Sequence, residues 1–297
     1  MAGKREKARG RMRLPGIAAL LAVMAVVLTS AGPAGVAADS PVEQMAARGL
    51  PVMAQQTPGE PAAEPEREKA ERPTPVELEA EPFAPVEERA PVEDTYFDDA
   101  VFLGDSRTEG FSLYSGLKTG TYFYAVGATV ESVFSKSVWE TPEGKVPLLD
   151  ALAETECGKI YVMLGVNELG WNGTEIFRNQ CAKMIDRIQE DHPDAEVVLQ
   201  SILPVSAKQD AKGSYVNNTR IEAYNEQLLL LAEEKECHYL NVAEAVVDES
   251  GCLRADWTFD GVHLNVQGCQ AWLEYLRTHP VGEVSAKLLL PEASIEE

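Results

Sequence analysis

The chain of 297 residues carries 48 Asp and Glu against 26 Lys and Arg, a formal charge of -22, and 45% of its residues are hydrophobic. This length admits one large domain or two small ones, and the apolar fraction suffices for a packed core. The acid excess excludes binding to a nucleic-acid backbone, which needs clustered Lys and Arg.

The first 38 residues invert that balance. Lys4, Arg5, Lys7, Arg9, Arg11 and Arg13 precede the apolar run Ile17 to Leu28, and small residues lead on to Val36-Ala37-Ala38. A basic segment, a short apolar core and a small-residue site predict a secretory signal peptide over residues 1–38. The apolar core is about 12 residues, short of the roughly 20 that span a bilayer. Counted on to Ala38, the same segment would serve as an N-terminal membrane anchor. On either reading the rest of the chain is expected to be exported, extracellular or at the cell surface, touching a membrane only through this segment. From residue 39 to 94 proline recurs among dense Glu, as in Pro58-Gly-Glu-Pro-Ala-Ala-Glu-Pro-Glu. Proline breaks helix and sheet alike, and so little apolar surface cannot offset the entropy of ordering, so a solvated spacer is expected.

Beyond Thr95 the pattern becomes that of a compact domain, expected to run to residue 281 ahead of an acidic tail over 282–297. Strands are predicted at Ala100 to Leu103, Thr121 to Val126, Lys159 to Leu164, Ala195 to Leu203 and His238 to Val242. Helices are predicted at Val146 to Ala153, Thr174 to Glu190, Thr219 to Glu236 and Val266 to Leu276. In the second of these Ile176, Phe177, Cys181, Met184, Ile185 and Ile188 supply the apolar positions. Strands alternating with helices indicate a parallel sheet covered on both faces. The five cysteines, Cys157, Cys181, Cys237, Cys252 and Cys269, include no Cys-x-x-Cys pair and cannot all pair within one chain. They argue against a zinc knuckle and a disulfide scaffold, and read as small hydrophobes.

In a parallel sheet functional groups gather beyond the carboxyl ends of the strands. Gly104-Asp105-Ser106 stands there after the first strand, Gly127 after the second and Gly165-Val166-Asn167 after the third. Gly-Asp-Ser is either ordinary turn chemistry or the seat of a nucleophile, and a nucleophilic serine needs a base. Of the four histidines, His192, His238 and His279 read as boundary or surface residues. His263 follows Asp260 by three residues, in a loop leading into the last helix. That spacing lets Asp260 fix the tautomer of His263; it also suits a plain turn beginning at Asp260. The N–H groups of Ser106 and Gly127 and the side-chain amide of Asn167 would lie at the same sheet edge, where an oxyanion needs donors.

Gly104-Asp105-Ser106, Gly127, Gly165-x-Asn167 and Asp260-x-x-His263 together resemble the four sequence blocks of the SGNH, or GDSL-type, hydrolases, in that family's order over residues 97 to 280. The resemblance implies an α/β fold, three-layer α/β/α around a central, mainly parallel sheet of flavodoxin-like kind, and a serine esterase or acylhydrolase needing no metal or cofactor. It implies Ser106 as nucleophile, His263 as base, Asp260 as its orienting carboxylate, and Ser106, Gly127 and Asn167 as the oxyanion donors. Two positions depart from the pattern. Glu168 stands where the family commonly has Asp, so the support of that loop is expected to differ. Arg107 stands where an aliphatic residue is frequent, and either binds an anionic substrate group or, as favoured here, pairs with Glu109 or Glu168.

Trp171 and Trp257 fall on loops near the expected site, where they would stack on a sugar, contact an acyl chain or simply cover the core. No long apolar insertion resembles a lipase lid. The expected substrate is therefore a short acyl ester, such as acetyl on cell-envelope or extracellular carbohydrate. An O-acyltransferase with the same triad, a lysophospholipase-like acylhydrolase and a non-catalytic carbohydrate-binding module are the alternatives.

Overall fold

A computed structural model of the chain describes residues 85–290. The predicted leader, the predicted spacer up to residue 84 and the end of the acidic tail lie outside the described residues. In chain order the elements are β1 (Ala100–Gly104), α1 (Ser106–Tyr114), β2 (Thr121–Tyr124), β3 (Trp139–Thr141), β4 (Gly144–Val146), α2 (Leu148–Ala153), β5 (Lys159–Met163), α3 (Thr174–Asp191), β6 (Glu196–Gln200), α4 (Ala207–Asp210), α5 (Asn218–Glu234), β7 (His238–Leu240) and α6 (Val266–Thr278). Five of the strands form one sheet in the order β2, β1, β5, β6, β7, and every pairing in it is parallel. β3 and β4 form a separate antiparallel hairpin. Helices cover both faces, which gives the expected three-layer α/β/α architecture.

The central strands β1, β5 and β6 are apolar and buried over most of their length because neither face of the sheet meets water there. Val101 and Leu103 of β1 belong to a core shared with Leu149 of α2, Met184 of α3 and Leu228 of α5. Ala100 and Phe102, one step out of phase, belong to a second core with Phe111 of α1 and Trp272 of α6. This second core is aromatic. Phe102 stacks on Tyr161 at 5.1 Å and on Tyr122 at 5.0 Å, and Phe111 meets Trp272 at 4.5 Å. The buried Trp272 indole donates from Nε1 to Gln200 Oε1 at 2.9 Å. These contacts tie α1, which begins at Ser106, to α6, which follows His263.

Within α3 the residues Phe177, Cys181, Met184, Ile185 and Ile188 are buried as their spacing requires. Ile176 is exposed, contrary to the sequence reading, because it sits about 100° round the helix from Phe177. Periodicity did not reveal α1 at all. Its buried residues are Arg107, Thr108 and Phe111, too few apolar positions to form a stripe. The helix starts on a cap instead: Asp105 Oδ1 accepts from the Arg107 N–H at 2.8 Å.

The domain is longer at both ends than the sequence suggested. Residues 85–94, expected to be spacer, pack on the fold: Val86 N–H donates to Tyr239 O at 3.0 Å, and Val92 is fully buried with its N–H on Arg277 O at 3.0 Å. The start of the supposed tail closes over this segment, with Glu93 N–H on Leu288 O at 2.7 Å and Leu290 N–H on Pro91 O at 2.8 Å. All five cysteines are free thiols. Burial pushes Cys237 and Cys269 up to about 12, which fits their reading as small hydrophobes rather than reactive groups.

Gly104 ends β1 under close constraint. A Cβ there would lie 2.1 Å from Thr108 Oγ1 and 2.6 Å from the Met163 carbonyl oxygen. The hydroxyl can rotate away, but the carbonyl belongs to the paired strand β5 and cannot. Gly104→Ala is expected to destabilise the domain by about 1–3 kcal/mol, read as a lowered urea midpoint at constant m value. An unchanged midpoint would show that β1 and β5 separate at little cost.

Candidate active site

From β1 the chain winds one way to β2, and past β1 it winds the other way through β5, β6 and β7. The reversal opens a crevice between the carboxyl ends of β1 and β5. In the paired register Gly104 of β1 stands beside both Tyr124 of β2 and Met163 of β5, so the three following loops leave the sheet at one level. Ser106 follows the first strand, Gly127 the second and Asn167 the third. The segment before α6 brings Asp260 and His263 to the same place.

Ser106 Oγ lies 2.9 Å from His263 Nε2, and His263 Nδ1 lies 2.8 Å from Asp260 Oδ2. With Nδ1–H donating to the carboxylate, Nε2 presents its lone pair to the serine hydroxyl. The other oxygen of Asp260 accepts from the N–H groups of Val262 and His263, both at 2.8 Å. Partial burial raises the pKa of Asp260, but the bonds from His263 and Val262 outweigh it and hold the carboxyl below its ordinary range. Gly261 permits this three-fold wrap by adopting φ 91°, which a side chain would resist. The site is open: the His263 side chain is 42% exposed.

The groups expected to donate to an oxyanion stand on the loops that follow β1, β2 and β5. Ser106 is the first residue of α1, so its N–H has no acceptor within the helix. Gly127 is exposed at φ 75°, inside a turn closed by Ala128 N–H on Ala125 O at 3.0 Å, and its N–H has no acceptor among the described residues. Space for a Cβ is open there, so the turn conformation, rather than crowding, requires glycine. Asn167 Nδ2 reaches Ala128 O at 2.8 Å and Asp105 Oδ2 at 3.3 Å. Two acceptors on that side fix the amide with its NH2 group toward Ser106's turn, and the longer bond to Asp105 is the weaker of the two.

Arg107 is neither a surface residue nor a partner of Glu109 or Glu168. It is 3% exposed, with Nη1 on Leu203 O at 2.8 Å, while Nε and Nη2 have no partner among the described residues. Burial pushes its pKa down to about 10, against the pull of the Asp105 and Asp260 charges. The bond to Leu203 O, not an ion pair with Glu109 or Glu168, holds the side chain inward. Trp171 packs half-buried on the first core, and Trp257 packs on the second with the Arg254 guanidinium 4.1 Å from its ring. Near Asp260 the exposed aromatics are instead Phe259, 68% exposed, and Tyr114 at the end of α1, with ring centroids 6.2 Å apart; Tyr215, also exposed, lies against Gly170. Phe259 was visible in the sequence as the neighbour of Asp260; Tyr114 joins it only through the unforeseen helix.

Glu168 is fully buried, and one of its oxygens accepts from Val130 N–H at 2.7 Å. It therefore crosses from the Asn167 loop to the Gly127 loop.

A protein from Streptococcus pneumonia, provisionally described as a platelet activating factor, has a similar fold: TM-score 0.51 at 24% identity, over 60% of this chain and 81% of that one. A GDSL-like lipase from Bacteroides thetaiotaomicron aligns at 19% identity and TM-score 0.45, over 60% and 84% of the two chains. An acetylxylan esterase from Geobacillus stearothermophilus aligns at 15% identity and TM-score 0.45, over 63% and 96%. No curated protein matches the chain. The family model of the GDSL-like lipases and acylhydrolases matches residues 102–271, from the middle of β1 into α6, which takes in every loop that meets at the crevice. Sequence blocks, sheet order and family model thus agree, and the chain belongs to the GDSL-like lipase/acylhydrolase family of ester-hydrolysing enzymes.

Proposed function

We propose that this protein is an exported serine esterase that removes short acyl groups, acetyl above all, from a bulky acceptor such as cell-envelope or extracellular carbohydrate. The observation that carries the reading is the unbroken relay from Ser106 Oγ through His263 to Asp260, at 2.9 and 2.8 Å. As Ser106 Oγ attacks the ester carbon, its proton passes to His263 Nε2, and Asp260 stabilises the imidazolium so formed. The carbonyl oxygen gains negative charge toward the N–H groups of Ser106 and Gly127 and the amide of Asn167. His263 then protonates the departing alkoxide, and a water deprotonated by His263 releases the acyl group from Ser106.

The open setting of His263 supports an acceptor too large to be enclosed, and the exposed pair Phe259 and Tyr114 offers it an apolar face. The basic, apolar and small-residue pattern of residues 1–38 supports export. Turnover of p-nitrophenyl acetate, butyrate and octanoate by the full chain, beside Ser106→Ala, tests the reading. Ser106-dependent turnover that falls with chain length is expected, with acetylated glycans as the next substrates. Preference for octanoate would move the assignment to lipid esters, and a folded chain without turnover would move it to acyl transfer.

A further inference from the structure

Two loops carry the proposed oxyanion donors outside α1, and two side chains hold them together. Asn167 donates to Ala128 O at 2.8 Å, and its neighbour Glu168 accepts from Val130 N–H at 2.7 Å, so residues 128 and 130 are gripped just beyond Gly127. The Glu168 backbone is itself anchored: its carbonyl accepts from Trp171 N–H at 2.8 Å and from Tyr224 Oη at 2.7 Å. Its second carboxyl oxygen is buried with no partner among the described residues. Aspartate, one methylene shorter, would not span the same gap from the same anchored backbone.

Asp105 and Glu168 are both buried and repel one another, so the charge has to be apportioned between them. Burial pushes the Asp105 carboxyl up as well, but Asp105 lies in the field of the Arg107 guanidinium and accepts from the Arg107 N–H and the Asn167 amide, which oppose that rise. Glu168 accepts one close bond, from Val130, with lesser help from its own backbone and that of Gly165, and has no cation in contact; the other groups facing it are Cys181 of α3 and Tyr224 of α5, while Arg220 of α5 is held on Leu169 O. The negative charge belongs on Asp105 and the proton on Glu168.

On the esterase reading above, we propose that Glu168 is a positioning residue that holds the Gly127 turn against Asn167 as an uncharged carboxylic acid, and that losing its proton switches the site off in alkali. Ionised, Glu168 would set a second buried anion beside Asp105, close to where the transition state gathers its own negative charge. Burial pushes its pKa up to about 8, opposed by the Val130 N–H and reinforced by Asp105, which puts the switch within a measurable range.

The test is kcat and KM of the full chain with a short ester from pH 7 to 9.5, corrected for spontaneous hydrolysis, for wild type, Glu168→Gln and Glu168→Ala. With a pKa of about 8, wild-type kcat is expected to fall roughly 30-fold over that range. Glu168→Gln keeps an acceptor for Val130 but has no proton to lose, so its fall is expected to be less than about twofold. Glu168→Ala loses the grip, and kcat is expected to drop at every pH with KM little changed. The same 30-fold fall in Glu168→Gln, or wild-type kcat in Glu168→Ala, overturns the proposal.

Thermal unfolding gives a readout that needs no turnover. The folded chain keeps this proton up to about 8 while the unfolded chain loses it near the ordinary 4.5, so wild-type stability falls as pH rises between those values. Glu168→Gln should lack that component. A chain with no Ser106-dependent turnover sinks the esterase reading and this role with it; turnover with an unaltered alkaline limb in Glu168→Gln sinks the role alone.

Discussion

Ser106→Ala is expected to lower kcat by about 10⁴- to 10⁶-fold while the domain stays folded, and His263→Ala to lower it by nearly as much. The two residues act as one unit across a 2.9 Å hydrogen bond, so the second substitution removes little that the first has left. The double variant is therefore expected to sit close to either single one. Folding should survive because neither side chain holds core: Ser106 makes its bond to His263, and the His263 ring is open to solvent. Steady-state kinetics with a melting curve for each variant decide the matter. A folded Ser106→Ala chain with wild-type turnover would falsify the nucleophile assignment. Strictly additive losses would mean that His263 acts on something other than Ser106.

Asn167→Ala is expected to lower kcat by about 10²- to 10³-fold, some 3–4 kcal/mol of transition-state stabilisation, with a small change in KM. The resting structure adds a feature to that expectation. The amide of Asn167 is engaged with Ala128 O and, at 3.3 Å, with Asp105 Oδ2. Only the longer of these bonds is cheap to give up, so the donation to substrate is expected to replace the contact with Asp105. Removing the side chain also leaves two buried acceptors each short of a donor, at about 1–3 kcal/mol of stability. Kinetics and urea unfolding of the variant separate the two effects. A loss confined to KM would mean that Asn167 binds the ground state and not the developing oxyanion.

The sequence was most informative where a short local pattern carries its own physics. Five apolar runs set between amphipathic stretches specify a covered parallel sheet, and each strand and helix named from them is present within a few residues. Asp260 and His263 are three residues apart, and that spacing alone puts the carboxylate within reach of both the backbone and the ring. Gly104-Asp105-Ser106 at a strand end likewise defines a site because sheet topology fixes where such ends gather.

What the sequence concealed depended on residues brought together from afar. Nothing local distinguishes an arginine pairing with Glu109 from one turned into the core, where the Arg107 guanidinium meets the carbonyl of Leu203 on a distant segment. Nor does a tryptophan on a loop reveal whether it meets substrate; Trp171 and Trp257 lie on the two cores while Phe259 and Tyr114 stand in solvent. Helix α1 was hidden because its partner, Trp272, is remote in sequence and leaves no periodic trace.

By itself the sequence determined the fold class, the order of the family's sequence blocks and the pairing of Asp260 with His263, because periodicity and short spacings act within a few residues. Tertiary structure alone decided which acids are buried, which aromatics face water and that Glu168 joins the Asn167 loop to the Gly127 loop. Those outcomes follow from burial and from contacts between distant segments, and no local pattern encodes either.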